Sequence, residues 1–447
     1  MPAKMTMALT GDSIITQQLM PFNEPEYLKL IERIRKADLA FTNLEMLFHD
    51  YEGYPQAESG GVWMRGDPAL AKDLAWAGFH MVARANNHAG DYSPESMVTT
   101  DKALAGVGIA YAGTGQNLQQ AREPHFVDTA SGRVALIAAT STFPTLSRAG
   151  NQRSDVRGRP GVNPLRFETK YTVDQNTLDE LRVLARNLGA GRGGRGGSAA
   201  EGNATAGAAG RGGRGGGGAT NGLTFQGSHF VLGEKFGMIR IPLKQDVDAI
   251  VASVKDAQAR SDYVIVYLHN HEGGPANAPA DFAITFAHAV IDAGASVYVS
   301  SGPHVLRGIE IYKGKPIFYS LGNFIFQNES LLRLPADNYE ALGLDSFASV
   351  SDFNAARYKN DTVSFPANPL NWESVVAEPT FQGDRLIGLK LYPIALGFGK
   401  KAGQRGRPML ADPELSKKII ANLAELSAPF GTKITFEDGV GVVTLPP

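Results

Sequence analysis

The chain has 447 residues, of which 43% are hydrophobic and 20% charged, a composition typical of a soluble globular protein with one big domain or two ordinary ones. A formal net charge of −2 gives no global attraction for nucleic acid or an anionic membrane, and no apolar run approaches the roughly 20 residues of a membrane span. The lack of cysteine excludes thiolate metal sites, disulfides and cysteine nucleophiles.

The first predicted element is a strand at residues 5–9, where large apolar residues alternate with small or polar ones. It is predicted to end in a turn, in which Gly11 lets the backbone bring the carboxylate of Asp12 to the edge of a sheet. Because the chain moves straight into this strand, we expect no signal peptide in the sequence as given. A chain trimmed of a leader would look the same, so a cytoplasmic and an exported protein both stay open.

A helix is predicted next, from residue 25 to residue 36, with Leu28, Ile31 and Ile34 on its inward face. The short strand after it leads into Glu45. Taken alone, a glutamate in such a loop is more often a solvated residue than a metal ligand. Its role therefore depends on which other side chains lie near it.

A second helix is predicted over residues 67–77, and an apolar strand follows it. This strand delivers Asn87 and His88 to a loop at its carboxyl end, which is where ligands bind in open α/β sheets. An asparagine carbonyl and an imidazole side by side can bind or serve a metal. We expect Asp91 and Tyr92, which come next, to orient this loop by contacts behind it.

Further helical and apolar segments alternate up to residues 134–139, a continuous apolar run typical of a strand buried on both faces. The order of elements is therefore strand, helix, strand, helix, strand, helix, strand. This alternation predicts an α/β layered domain.

Residues 189–222 are a low-complexity segment rich in glycine and arginine, with small polar residues between. Such a composition cannot bury apolar surface, so we predict a flexible, disordered surface insertion. Arg-Gly-Gly segments can also bind single-stranded nucleic acid, but that usually needs interleaved aromatic residues, and this segment has none. A disordered insertion is therefore favoured over an RNA-binding segment.

The most convincing buried strand, residues 263–268, runs directly into His269, His271 and Glu272. Alternation along a strand would place the two histidines on the same side. A single histidine after a buried strand is more often a satisfied polar group, whereas two histidines beside a glutamate favour a functional site.

A strand at residues 296–299 leads into His304, and a hairpin is predicted to turn at Lys313 and Gly314. The last part of the chain is less regular. We predict an irregular lid over 328–369, a strand at 386–391, a helix over 413–427 and a final hairpin near 434–443.

These segments supply the ligand types that one or two divalent cations require, namely carboxylates, an asparagine carbonyl and neutral imidazoles. A nearby imidazole that is not bound to metal can protonate a leaving group, and we assign this catalytic role to His88. The sequence leaves open Mn, Zn, Fe and Mg. The candidate metal ligands are Asp12, Glu45, Asn87, His269, His271 and His304.

The motifs also follow one another in a distinctive order. They are Gly11-Asp12, Asn43-Leu44-Glu45, Asn86-Asn87-His88, His269-Asn270-His271-Glu272, Gly302-Pro303-His304 and Leu321-Gly322-Asn323-Phe324. Together they resemble the bacterial capsule-synthesis CapA family, the poly-γ-glutamate synthesis branch of the calcineurin-like metallophosphoesterase superfamily. The resemblance covers about residues 5–327 apart from the insertion.

The resemblance implies a four-layer α/β/β/α sandwich with metals at the sheet edge. Residues 1–327 would form this domain, and residues 328–447 a lid with additional strands and a helix packed on it. It also implies Glu45 as a bridging carboxylate, Asn87 as a ligand and His88 near the leaving group. Asp12, His269 and His304 match further metal ligands of the family, and His271 is a partner for them.

Two positions depart from the superfamily pattern. Its first motif adds a histidine two residues after the aspartate, where this chain has Ile14. Relatives usually have a histidine where this chain has Ser301, a poorer ligand. We therefore expect one of two metal positions to be weakened, which leaves a site for a single ion as an alternative.

The resemblance implies a metal-dependent enzyme that acts on a γ-glutamyl, peptide-like or related anionic substrate, with capsule-polymer synthase components as partners and no nucleic acid. A phosphoester hydrolase, a peptide epimerase and a non-catalytic accessory protein are the alternatives. Arg65 and Arg307 lie near the motifs and could bind an anionic substrate, although surface salt bridges would explain them equally well. Glu272 is expected to support the ligands.

Overall fold

The computed structural model describes residues 4–189 and 222–446. The predicted insertion, 189–222, lies outside the described residues except for its two end positions. The helices are α1 (Pro25–Lys36), α2 (Ala71–Ala77), α3 (Ser93–Gly106), α4 (Leu118–Arg122), α5 (Gln175–Asn187), α6 (Lys244–Arg260), α7 (Asp281–Asp292), α8 (Ala336–Glu340), α9 (Val350–Arg357) and α10 (Pro413–Ser427).

The strands up to residue 242 are β1 (Lys4–Ile14), β2 (Leu39–Leu44), β3 (Leu47–Phe48), β4 (Arg65–Gly66), β5 (Met81–Ala83), β6 (Ala110–Ala112), β7 (Thr114–Gly115), β8 (His125–Thr129), β9 (Gly132–Thr140), β10 (Gly161–Val162), β11 (Phe167–Val173), β12 (Gly222–Phe225), β13 (Ser228–Leu232) and β14 (Gly237–Pro242). The later strands are β15 (Tyr263–His269), β16 (Val297–Ser301), β17 (Ile309–Tyr312), β18 (Lys315–Phe318), β19 (Asn323–Phe326), β20 (Glu373–Gln382), β21 (Arg385–Ala395), β22 (Met409–Leu410), β23 (Ile434–Glu437) and β24 (Val440–Val443).

Two large sheets organise these elements. The ten-stranded sheet has the order β23-β24-β21-β20-β1-β2-β5-β6, with β19 beside the end of β1 and β22 beside β21. The six-stranded sheet has the order β17-β18-β16-β15-β9-β8. Within them, β1, β2, β5 and β6 are parallel, as are β9, β15, β16 and β18.

The two sheets pack face to face, and helices cover their outer faces. Phe41 and Leu9 of the first sheet share one buried apolar cluster with Ile265 and Val299 of the second. Ile31 of α1 packs against the other face of the first sheet. Helices α6 and α7 contribute Ile250, Val254, Phe282 and Phe286 to a third cluster on the outer face of the second sheet. The layers are therefore α/β/β/α, which confirms the predicted fold class.

Some local predictions were wrong. Leu28 is 39% exposed, and the buried face of α1 is formed by Tyr27, Leu30, Ile31 and Ile34, because these residues follow the i, i+3, i+4, i+7 spacing from Tyr27. The segment at 328–369 is also less irregular than predicted, since it contains α8 and α9.

Gly11 does not form a turn, since β1 continues through it to Ile14. A methyl group at this position would overlap the carbonyl oxygen of Gly322, which accepts the backbone N–H of Asp12 at 2.9 Å. Glycine is therefore needed here for close approach of two backbones rather than for a bend. This contact holds Asp12 beside the segment that leads into β19.

Among the described residues, no helix combines the length and the apolar character that crossing a membrane would require.

Candidate metal centre

The predicted ligands meet because parallel strands of both sheets end at the same edge. In the first sheet Asp12 of β1 lies opposite Asn43 of β2. In the second sheet His269, the last residue of β15, lies opposite Ser301, the last residue of β16. Carboxyl ends of parallel strands form the usual binding edge of such sheets. The structure thus brings side chains from distant parts of the sequence into one buried cluster.

Glu45 is at the centre of this cluster. Its side chain is fully buried, and neither carboxylate oxygen has a hydrogen-bond partner among the described residues. The Oε1 atom lies 3.5 Å from Nε2 of His269, 3.8 Å from Nε2 of His304 and 4.0 Å from Nε2 of His271. A buried carboxylate without donors is costly unless a cation compensates it. The donor set therefore fits a divalent cation.

The pKa shifts of the buried side chains also favour a bound cation. Burial raises the pKa of Glu45 well above its ordinary value, and Asp12 and Asp91 raise it further. Burial also lowers the pKa of His269 well below its ordinary value and that of His271 to about 3. The imidazoles are consequently neutral at physiological pH. Neutral imidazole is the metal-binding form, and it leaves the carboxylate charge for a cation to balance.

The backbone and a polar neighbour fix His304. Its φ of 59° lies in the left-handed region, which is unusual for a residue other than glycine. Its Nδ1 lies 2.8 Å from Oδ1 of Asn323, whose Nδ2 donates to the carbonyl of Asn371 at 2.9 Å. Since Asn323 therefore presents its acceptor to the ring, Nδ1 carries the proton. The lone pair of His304 is on Nε2, which faces Glu45.

Asn87 supplies another unpartnered oxygen. Its Nδ2 donates to the carbonyl of Gly60 at 3.0 Å, which fixes the amide orientation. The Oδ1 atom is buried and has no hydrogen-bond partner among the described residues. An amide oxygen held in this way suits a divalent cation.

His88 differs from the ligand candidates because one of its nitrogens is tied to a carboxylate. Its Nδ1 lies 2.7 Å from Oδ2 of Asp91, and its backbone N–H donates to Oδ1 of Asn86 at 3.1 Å. Burial lowers the pKa of His269, and the neighbouring His271, His304 and His88 lower it further. His88 therefore lies beside the cluster, with its Nδ1 against Asp91.

Asp12 is also fully buried, but its environment is unlike that of Glu45. Its Oδ1 accepts from Nδ2 of Asn43 at 2.8 Å and from the hydroxyl of Ser301, and its Oδ2 accepts from the backbone N–H of Gly302 at 2.9 Å. Among the described residues, two groups of side chains are compact enough to hold an ion. They are Glu45 with His271 and His304, and Asp12 with Glu45 and His269.

Arg307 contacts the loop that carries the second histidine. Its guanidinium donates to the carbonyls of Glu272 and His271 at 2.8 and 3.2 Å. Glu272 accepts from Ser141 at 2.7 Å and from Thr142. These contacts hold the loop in position next to the cluster.

Arg65 and Tyr92 make their contacts elsewhere. Arg65 donates to the carbonyl of His49 at 2.6 Å and to Asp50 at 3.0 Å. The ring of Tyr92 packs against His49, with centroids 4.5 Å apart, and in an apolar cluster with Trp63. The structure thus does not bring either side chain into contact with the predicted ligands.

Sequence reasoning missed Tyr267. Its hydroxyl lies 2.5 Å from Oγ of Ser301 and 3.2 Å from Nδ1 of His269. The available signal was the alternation of β15, which puts residues 267 and 269 on the same face. Asn43 and Asn323 were missed as well, because their roles depend on contacts between segments that are distant in sequence.

The fold and the site define a metallophosphoesterase-like α/β protein with a buried cluster of potential metal ligands at its sheet edge. Residues 6–328 match the family model described as bacterial capsule synthesis protein PGA_cap. The chain belongs to this family, as the resemblance in its motifs predicted.

Several proteins are similar to this chain in sequence. An uncharacterised protein of Sinorhizobium fredii, y4sH, is 37% identical over 456 aligned residues, which cover 98% of this chain and 93% of that protein. The PGA biosynthesis protein CapA of Bacillus subtilis is 40% identical over 84 residues, or 19% of this chain and 22% of that protein. A probable polyglutamine synthesis accessory protein of Mycobacterium tuberculosis is 27% identical over 269 residues, or 59% of this chain and 47% of that protein.

Proposed function

We propose that the protein is a metal-dependent enzyme of the capsule-polymer type that acts on a γ-glutamyl or peptide-like anionic substrate. The observation that carries this proposal is the Glu45 carboxylate, which is buried without donors and faces the Nε2 atoms of three histidines. Membership of the capsule synthesis family supports the substrate class. The relatives named for PGA biosynthesis and polyglutamine synthesis support it too.

A divalent cation at this position supplies Lewis-acid polarisation of a carbonyl or phosphoryl oxygen. Glu45, His269, His271 and His304 would hold it, together with the carbonyl of Asn87. The oxygens of Glu45 and Asn87 are buried and have no hydrogen-bond donors among the described residues, so they need no rearrangement to bind.

His88 is the proposed catalytic acid or base. Asp91 accepts from Nδ1 at 2.7 Å, which holds the ring in one orientation and favours the proton on Nδ1. The Nε2 atom is then the site at which a proton is taken from the substrate or given to its leaving group. A positioned imidazole of this kind contributes about 10²–10⁴-fold to a rate.

Arg307 supports an anionic substrate. Its guanidinium is buried and donates to the backbone carbonyls of Glu272 and His271. Burial lowers the pKa of Arg307 to about 10, and the neighbouring Glu272 carboxylate offsets only part of this effect. A cation in the cluster would add to the same field, so a carboxylate-rich substrate would be attracted to this edge.

The test is an assay on synthetic oligo-γ-glutamate with added Mn²⁺ or Zn²⁺ in D₂O, read by mass spectrometry for shortened products and for deuterium at the α-carbon. We expect metal-dependent conversion by the wild type, a loss of at least about 100-fold for His88→Ala, and no change for His229→Ala. His229 is an exposed histidine of β13 and is the matched control.

The alternatives give different results in this assay. Hydrolysis of a generic phosphodiester without any effect on the peptide would replace the proposal with a phosphoester hydrolase. Deuterium uptake without cleavage would identify an epimerase. Metal binding without conversion of either substrate would favour a non-catalytic accessory protein. Capsule-polymer synthase components would then be its partners.

A further inference from the structure

A chain of hydroxyl groups connects one histidine of the cluster to Asp12. Nδ1 of His269 lies 3.2 Å from the hydroxyl of Tyr267, which lies 2.5 Å from Oγ of Ser301. The Ser301 hydroxyl in turn hydrogen-bonds to Oδ1 of Asp12. All four side chains are fully buried, so water does not compete for these contacts.

Counting protons fixes the direction of this chain. When Asp12 is ionised its carboxylate only accepts, so Ser301 donates its single proton to Asp12. The contact between Tyr267 and Ser301 then requires the tyrosine to donate. With its own proton used, the Tyr267 oxygen can only accept from His269, whose Nδ1 is therefore protonated. The lone pair of His269 lies on Nε2.

The Nε2 of His269 thus carries a lone pair, as does the Nε2 of His304, whose Nδ1 donates to Asn323. The Nε2 atoms of His269 and His271 are 3.1 Å apart, and both lie within 4.0 Å of Oε1 of Glu45. Ligand atoms of a tetrahedral zinc site are about 3.3 Å from one another, because metal–nitrogen distances are about 2.0–2.1 Å. The spacings among Glu45, His269 and His271 suit a single ion, and Nε2 of His304 faces the same carboxylate oxygen at 3.8 Å.

The side of the cluster around Asp12 is different. Its two oxygens accept from Asn43, Ser301 and the backbone N–H of Gly302, so both already have protein donors, unlike those of Glu45. Ile14, where the superfamily pattern has a histidine, is buried in an apolar cluster. The hydroxyls of Tyr267 and Ser301 link Asp12 to His269, the two residues that a second ion would have to share with Glu45, and Oδ1 of Asp12 lies 3.8 Å from Nδ1 of His269.

We infer that this chain binds one divalent cation, on Glu45 and the Nε2 atoms of His269, His271 and His304, and that the hydroxyls of Tyr267 and Ser301 close the second position. Asp12 is then a positioning residue that fixes the tautomer of His269 through the two hydroxyls. This inference rests on the proposed metal dependence of the protein.

The experiment measures bound Zn²⁺ by elemental analysis after dialysis, zinc affinity by calorimetry, and the visible spectrum of the Co²⁺-substituted protein. We expect about one equivalent of zinc in the wild type and none in Glu45→Gln. Asp12→Asn, Tyr267→Phe and Ser301→Ala should keep one equivalent, with affinity about 10–100-fold weaker and a shifted Co²⁺ spectrum. Ser301→Thr retains the hydroxyl and should restore the wild-type values.

Tyr298→Phe is the matched control. Tyr298 is a buried tyrosine of the neighbouring strand β16, and its ring lies in the outer apolar cluster. Its removal should change neither affinity nor spectrum. Thermal unfolding followed by circular dichroism identifies any variant that fails to fold. If Ser301→Ala does not fold, Ser301→Thr still tests the role of the hydroxyl.

Two results would overturn the inference. Two equivalents of metal in the wild type would show that the second position is open. Loss of all metal in a folded Asp12→Asn protein, as in Glu45→Gln, would make Asp12 a ligand. A wild type that binds no Zn²⁺, Mn²⁺ or Co²⁺ would instead refute the proposed function itself, so the two failures are distinguishable.

Discussion

Oδ2 of Asp91 lies 2.7 Å from Nδ1 of His88, and the same oxygen accepts the backbone N–H of Met64 at 2.7 Å. Its Oδ1 accepts from the backbone of Gly60 at 3.1 Å. One buried carboxylate therefore orients the proposed catalytic imidazole and also ties the loop before β4 to the loop after β5. It also holds Gly60 next to the amide of Asn87.

We expect Asp91→Asn to lower turnover of the oligo-γ-glutamate substrate by about 10²–10⁴-fold while leaving metal content unchanged, because the substitution alters the orientation and proton position of His88 but removes no ligand. Steady-state kinetics and elemental analysis measure the two effects. Asp50→Asn is the control, since Asp50 is an exposed carboxylate whose partner is Arg65. Equal turnover in both variants would contradict the role of the pair.

The close contact at Gly11 gives a stability prediction. Gly11→Ala should lower the free energy of unfolding by about 1–3 kcal/mol or more, because its methyl group would overlap the backbone of Gly322 and neither strand can move without disturbing Asp12. Gly388→Ala is the control, since Gly388 is also in a strand but has open space where the methyl group would be. Urea unfolding of both variants provides the measurement, and equal losses would contradict the steric argument.

The order of elements and most of the candidate ligands could be predicted from the sequence, because strands that end in polar residues have a strong local pattern. Strand β20 was missed, although it pairs with β1 at the middle of the larger sheet. Its sequence contains Pro379 and two glutamates, which make it unlike a central strand, and only its partner in space reveals its place.

The detailed arrangement of the cluster could not be predicted for a related reason. Ser301 looked like a weakened ligand when it was considered alone. Its hydroxyl instead forms hydrogen bonds with Tyr267 and Asp12, which lie on either side of it and come from two different sheets. Alternation along a strand predicts which face a side chain takes, but not which group it will meet there.

His49 gives a pH prediction that is independent of metal. Burial lowers its pKa to about 4, from an ordinary value of 6.5. Between these two values the unfolded chain binds a proton that the folded protein does not, so the contribution of His49 to stability is complete above pH 6.5 and is lost as the pH falls towards 4. The slope from one such group is at most about 1.4 kcal/mol per pH unit.

His49→Asn should therefore flatten the dependence of unfolding free energy on pH between about 6.5 and 4. Asparagine retains an acceptor for the backbone N–H of Tyr51, which bonds to Nδ1 of His49 at 3.0 Å. Denaturant titrations at several pH values give the slope. Curves that stay parallel for the wild type and the variant would show that His49 is protonated equally in both states.

The unpartnered carboxylate at the centre of the cluster makes the last prediction. In the metal-free protein, burial raises the pKa of Glu45 well above the unfolded value of 4.5, so its contribution becomes increasingly unfavourable as the pH rises above 4.5 through the folded pKa. Glu45→Gln removes this charge. We expect the metal-free variant to be more stable than the metal-free wild type at pH 7–8, with the difference shrinking towards pH 4.5.

The order of stability should reverse when metal is added. A ligand present at 100 times its Kd stabilises the folded state by about 2.7 kcal/mol, and only the wild type should gain this because the variant has lost a ligand. Thermal unfolding in EDTA and in excess Zn²⁺ or Mn²⁺, for both proteins, measures all four states. A variant that is less stable than the wild type in EDTA would mean that Glu45 has a compensating partner in the folded protein, and the argument for a cation would lose its basis.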